Sequence, residues 1–199
     1  MIFAMPLQAM LWLLMPVAAW ATSDTAQTTA TTPIPAGTAT EGTLSFDGHA
    51  SVGSFIGTTK TVSGEMSGGP DISAVRGWVE SPVNTLKTGN DRRDRDLLKS
   101  MEADKYPNLR FDLEGVTPTG TGDSVPVTLK GRLTIHGVEQ AMELPGWVVV
   151  GSGGAHVHSD FPLNLKDYKI GGLSKMMGIL RMYEAIKVHV DVTFRFSSH

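Results

Sequence analysis

His156, His158 and Asp160 stand at alternate positions of one short segment, His-x-His-x-Asp. Two imidazoles and a carboxylate are ligand types that zinc and copper accept. On an extended chain, alternate residues share a face. The same pattern fits the polar outer face of a strand whose inner face is Val157 and Phe161. A zinc site needs a fourth group, and the segment offers none. The polar face is therefore the reading taken, and these three remain weak metal candidates. His49, His136 and His189 are scattered along the chain.

The densest charge lies in Asn90 to Pro107, NDRRDRDLLKSMEADKYP. Asp91, Asp94 and Asp96 balance Arg92, Arg93 and Arg95 there. The whole chain has 17 Lys and Arg against 20 Asp and Glu. No uncompensated positive field exists to attract nucleic acid. Asn90 is a good N-cap, and Asp91 suits the positive end of a helix. Asp91 with Arg95 and Arg92 with Asp96 are (i, i+4) pairs. Asp94, Leu97, Leu98 and Met101 fall on one side. The stretch reads as a short helix whose Leu and Met face docks on the body and whose charges face water, a plug for one end.

Leu173 to Met182, LSKMMGILRM, places Leu173, Met176, Met177 and Leu180 at helical spacing. It is read either as a core helix or as a flexible lid. Methionine adapts to irregular ligands, and Lys175 and Arg181 are placed to meet a phosphate. Catalytic signals are poor. Gly172-Leu173-Ser174-Lys175-Met176 lacks the closing glycine of a nucleophile elbow. The sequence has no Ser-x-x-Lys, HExxH or P-loop motif, and zero cysteines exclude thiol chemistry and a disulfide framework.

These groups need a scaffold, and period-two alternation supplies it. Ile186, Val188, Val190, Val192, Phe194 and Phe196 alternate with Lys187, His189, Asp191, Thr193 and Arg195, which is a strand and not a helix. Val125 to His136 and Leu109 to Glu114 alternate likewise, and the phase slips at Gly115 as at a bulge. Weaker strands are read at 44–49, 59–67, 75–83, 140–150 and 155–162, with turn signals between them. About eight one-sided strands joined by short turns predict an all-β, antiparallel closed barrel. Its interior is either filled by side chains or holds one ligand.

Before that domain, residues 1–21 read as a signal peptide. They carry no charge, are too short in their apolar run to span a bilayer and end in Ala19-Trp20-Ala21. Residues 22–42 are Thr/Ala/Pro-rich and read as a disordered linker. The barrel domain is expected over 43–199. The expected location is periplasmic or secreted, with no transmembrane anchor in the mature chain.

The motifs FDGHASVGSFIG (46–57), VSGEM (62–66), TGNDRRD with KYP and Phe111 (88–111), GRLTIHGV (131–138) and Asp167-Tyr168 occur in this order. Together they resemble the YceI-like family of exported, lipocalin-like barrels. The sequence departs from the family's pattern at Asp96, where His is frequent, and at Leu165, where Arg is favoured. The resemblance implies an eight-stranded lipocalin-like barrel with one or two short helices, often dimeric, so a homodimer is an open expectation. It implies no cofactor, no catalytic residue and an isoprenoid or other long-chain lipid as partner. On that reading the lumen is lined by Phe46, Phe111, Leu113, Leu129, Leu133, Phe161, Val188 and Val190. Tyr168, Lys175, Met176, Met177, Leu180 and Arg181 join them at the portal. The alternatives are a metal-dependent or hydrolytic barrel enzyme, and a ligand-free structural or partner-binding barrel.

Overall fold

The computed structural model describes residues 33–51, 53–170, 174–175 and 180–197, with 174–175 and 180–181 given as backbone. The expected signal peptide, residues 1–21, lies outside the described residues. The long strands are β1 (Gly37–Ala50), β2 (Gly53–Thr59), β3 (Ser63–Ser67), β4 (Arg76–Pro82), β5 (Asn108–Pro118), β6 (Val125–Ile135), β7 (Val138–Val150) and β8 (Gly154–Asn164). Two short strands, β9 (Ser174–Lys175) and β10 (Leu180–Arg181), precede β11 (Ala185–Phe196). One α-helix, α1 (Asp91–Ser100), links β4 to β5.

The strands run in the order β11-β8-β7-β6-β5-β4-β3-β1, and β1 pairs back to β11 to close an antiparallel barrel. β1 changes partner along its length. Its start, Gly37 and Thr38, pairs with β3, and its end, Leu44 to Ala50, pairs with β2. Of the strand expected over 59–67, the structure has β3 and only the last residue of β2, Thr59, and the two strands serve one edge of β1 in turn. The predicted phase slip in β5 is a register shift between Leu113 and Gly115.

Two expectations need correction. β1 begins at Gly37, and Ile34, itself buried, bridges Gly69. Residues 34–42 therefore belong to the barrel and not to a linker. The cause is backbone pairing: Gly37 sits so close to β11 that a Cβ there would meet the Arg195 carbonyl oxygen at 2.7 Å. The helical reading of 173–182 also fails where the chain is described. Leu180 pairs with Lys175 and Arg181 with Ser174, as two antiparallel strands. Leu173, Met176 and Met177 lie outside the described residues.

The core divides along the barrel axis. The larger cluster runs from Phe46, Leu129 and Leu133 to Phe161 and Val188, and the α1 side chains Leu97 and Leu98 pack on it. A smaller cluster of Ile34, Met66, Val75, Val192 and Phe194 sits at the opposite end. α1 is capped by Asn90, whose side chain accepts from the Arg93 amide at 3.0 Å. Gly89, at φ +74°, makes the left-handed turn that brings the chain into this cap.

Candidate functional site

A cavity of about 510 Å³ occupies the barrel between α1 and the smaller cluster. Ligand pockets commonly fall in the range ~300–1,000 Å³. Phe46, Phe111, Leu129, Leu133, Phe161, Val188 and Val190 line it, as the strand phases predict. Leu113 does not; it packs into the wall between the two core clusters. The side chains of Lys175, Leu180 and Arg181 and the whole of Met176 and Met177, the expected portal, are outside the described residues. Met182 does line the cavity, and its backbone bridges Ala50.

Tyr168 is a correction. It was expected beside the ligand, yet it is buried in the wall, 2% exposed, and is not among the lining residues. Its hydroxyl donates to Met142 Sδ at 3.3 Å, and burial pushes its pKa up to about 12. Its carbonyl oxygen lies 3.1 Å from His136 Nδ1. His136 in turn packs edge-on against Tyr106 at 4.8 Å, and its Nε2 stands 3.5 Å from Glu102. His136 and Gly137 both have positive φ, the requirement of the tight hairpin turn joining β6 to β7. A Cβ on Gly137 would meet the Tyr106 ring at 2.3 Å. The KYP, IHGV and DY motifs therefore form one clasp that fastens the loops at the α1 end.

The charged stretch divides as its face pattern predicts, with three exceptions. Asp94 is buried and receives the Thr88 hydroxyl and amide, while Leu97 and Met101 line the cavity. The exceptions are Arg92, Arg93 and Asp96, read as solvated charges, which line the cavity; the Arg93 guanidinium carbon lies 4.2 Å above the Phe55 ring. Ser54, Asn90, Arg92, Asp96 and Ser100 gather at the same end. Nothing in the sequence marked Arg93 apart from its neighbours, because facing inward depends on where α1 docks. Leu163 and Ile186 also line the cavity, on the inward phases of β8 and β11.

The histidine-rich strand lies on the outer face. His189 Nδ1 is 2.7 Å from Asp160 and its Nε2 3.3 Å from Asp47. His158 Nε2 is 3.2 Å from the same Asp160 oxygen and its Nδ1 3.1 Å from Asp191. His156 Nε2 is 3.2 Å from Asp191. Trp147 stacks over His158 with ring centroids 5.1 Å apart. The result is an alternating acid–imidazole ladder across β8, β11 and β1. Asp160 and the neighbouring Asp47 hold the His189 pKa above its ordinary value. Burial pushes Asp160 up, but bonds from Lys187 and His189 leave it below the usual carboxylate range. Among the described residues, no three such side chains are arranged to hold a metal ion. No described helix is long and apolar enough to cross a membrane.

Residues 22–197 match the family model described as the YceI-like domain. Solved structures of similar fold include Burkholderia cenocepacia BcnA, at 16% identity and TM-score 0.66 over 76% of this chain and 95% of that one. A polyisoprenoid-binding domain from Saccharophagus degradans, implicated in plant cell wall breakdown, matches at 14% identity and TM-score 0.69, covering 82% of this chain and 99% of that one. The Campylobacter jejuni YCEI protein matches at 18% identity and TM-score 0.59, covering 71% and 85%. No curated protein matches the chain.

Proposed function

The chain belongs to the YceI-like domain family, and on that premise we propose that it is an exported protein that holds a long apolar, isoprenoid-like chain in its barrel for transport or storage. The observation that carries this reading is the cavity: about 510 Å³, walled by the inward phases of the strands. A soluble barrel whose lumen were packed solid by its own side chains would favour a structural role instead. Each buried methylene contributes about 0.8 kcal/mol, so some ten carbons contribute about 8 kcal/mol, equivalent to roughly micromolar binding before association costs, and a longer chain offsets those costs. The polyisoprenoid-binding neighbour supports the ligand class. A binding role fits better than catalysis, because the histidines and aspartates of the outer ladder face away from the cavity and bond to each other.

Native mass spectrometry of protein purified from an exporting host tests the reading. A lipid adduct released on activation is the expected result. Bare protein that also takes up no isoprenoid alcohol or fatty acid when offered would overturn it.

A further inference from the structure

Polar groups on the cavity wall differ in whether the protein already satisfies them. The Ser81 hydroxyl donates to the Thr61 carbonyl at 2.9 Å, and that of Ser159 to Pro145 at 2.8 Å. Arg110 is held by Asp112 at 2.8 Å. Arg93 is satisfied only in part. One of its terminal nitrogens, Nη2, donates to the Thr88 carbonyl at 2.8 Å. Its Nε is shielded from solvent and has no hydrogen-bond partner among the described residues. A buried donor without an acceptor is costly and rare. The adjacent carboxylate does not resolve it: Asp94 Oδ1 is bonded to Thr88, and its Oδ2 lies 4.0 Å from Lys87 Nζ.

The surroundings fix the guanidinium in place. Phe55 supports its face, Thr88 holds one end, and the capped first turn of α1 sets the backbone. Arginine is a donor only and stays charged at any physiological pH. A held arginine on the cavity wall, at the end where Ser54, Asn90, Arg92, Asp96 and Ser100 gather, is suited to an anionic oxygen through the face of its guanidinium that the cavity reaches. Such charge-assisted bonds are about twice as strong as neutral ones.

Resting on the lipid-binding reading above, we infer that Arg93 anchors the head of the ligand by an anionic oxygen, a carboxylate or a phosphate. The head then lies at the α1 end, and the tail runs towards Val192 and Phe194. This sets a direction for entry and a preference among lipids of equal length.

The test compares matched pairs: palmitate against hexadecanol, and farnesyl phosphate against farnesol. In the parent protein at least one anion should bind about ten-fold or more tighter than its alcohol, and the pair that shows the preference identifies the head group. Arg93→Gln should bring that ratio close to one. Equal affinity for anion and alcohol in the parent, or a ratio that survives Arg93→Gln, would overturn the inference while leaving lipid binding intact. If neither anions nor alcohols bind, the lumen reading itself fails, and the anchor fails with it. Should Arg93→Gln not fold, the guanidinium N–H resonances of Arg93, assigned through Arg93→Lys, must shift with the preferred anion and not with its alcohol. A resonance unmoved by bound anion would also overturn it.

Discussion

Thr88 donates twice to one oxygen of Asp94, its hydroxyl at 2.6 Å and its backbone amide at 2.9 Å. The pair ties the start of α1 to the loop before it, and it does so in a buried position. Hydrogen bonds to a charged group contribute about 1.5–3 kcal/mol each, and unmet buried donors cost a comparable amount. Asp94→Ala should therefore lower stability by about 2–3 kcal/mol, read from urea midpoints at constant slope. A change within error would mean that the loop relaxes and water replaces the carboxylate.

The same pair has a pH signature. The Thr88 hydroxyl holds the Asp94 carboxyl below its usual 3.8, against the opposing effect of burial. A depressed carboxylate contributes stability that is full above the unfolded value and is lost as pH falls through the folded one. The stability gap between the parent and Asp94→Asn should thus be constant near neutrality and shrink below about pH 3.8. A gap that grows in acid would contradict this.

His189 has the opposite sign. Its pKa is raised by Asp160 and Asp47, so its contribution is complete below 6.5 and fades as pH rises through the higher folded value. Asp160 and Asp47 belong to β8 and β1, so the bond spans the junction where the barrel closes. His189→Gln should cost more at pH 5.5 than at pH 8.5 in denaturant melts. Equal losses at both would show that protonation does not reinforce the junction.

Filling the lumen should exclude a lipid without unfolding the barrel. Leu129→Trp and Val190→Trp place a larger side chain into the cavity, where space exists to take it. Both should melt cooperatively and copurify with far less lipid. Undiminished lipid in both variants would put the binding site elsewhere.

The outer ladder should be separable from that site. His156→Ala combined with His158→Ala removes imidazoles that touch Asp191, Asp160 and Trp147 and no lumen residue. Ligand uptake should be unchanged, and elemental analysis should find no stoichiometric zinc or copper in the parent. Metal that is present and lost in the double variant would revive the metal-centre reading.

What could be read from the sequence depended on whether side chains or backbone specified the element. β11 and β6 were legible because each inward residue is apolar and each outward one polar. The bulge at Gly115 showed as a lost phase. The start of β1 was not legible, since Gly37-Thr38-Ala39-Thr40 offers little to bury, and its place is fixed by backbone bonds to β11. β2 was missed because its glycines break the pattern; at Gly57 the missing side chain is what admits the Phe46 ring. The lumen residues followed from strand phase. Tyr168 and Arg93 exchanged the roles expected of them, because burial at a loop or helix start is decided by docking and leaves no period to read.

The first long strand and the last one are neighbours: Gly37 faces Phe196 across the junction. Every strand from β1 to β11 must therefore exist before the ring can close. A nascent chain stopped short of Ala185 would leave β1 and β8 with bare edges, open to pairing with other chains. Folding of this topology is governed by contacts distant in sequence, which makes it slow and concerted. Synthesis of β11, more than any local propensity, sets the moment at which a container first exists.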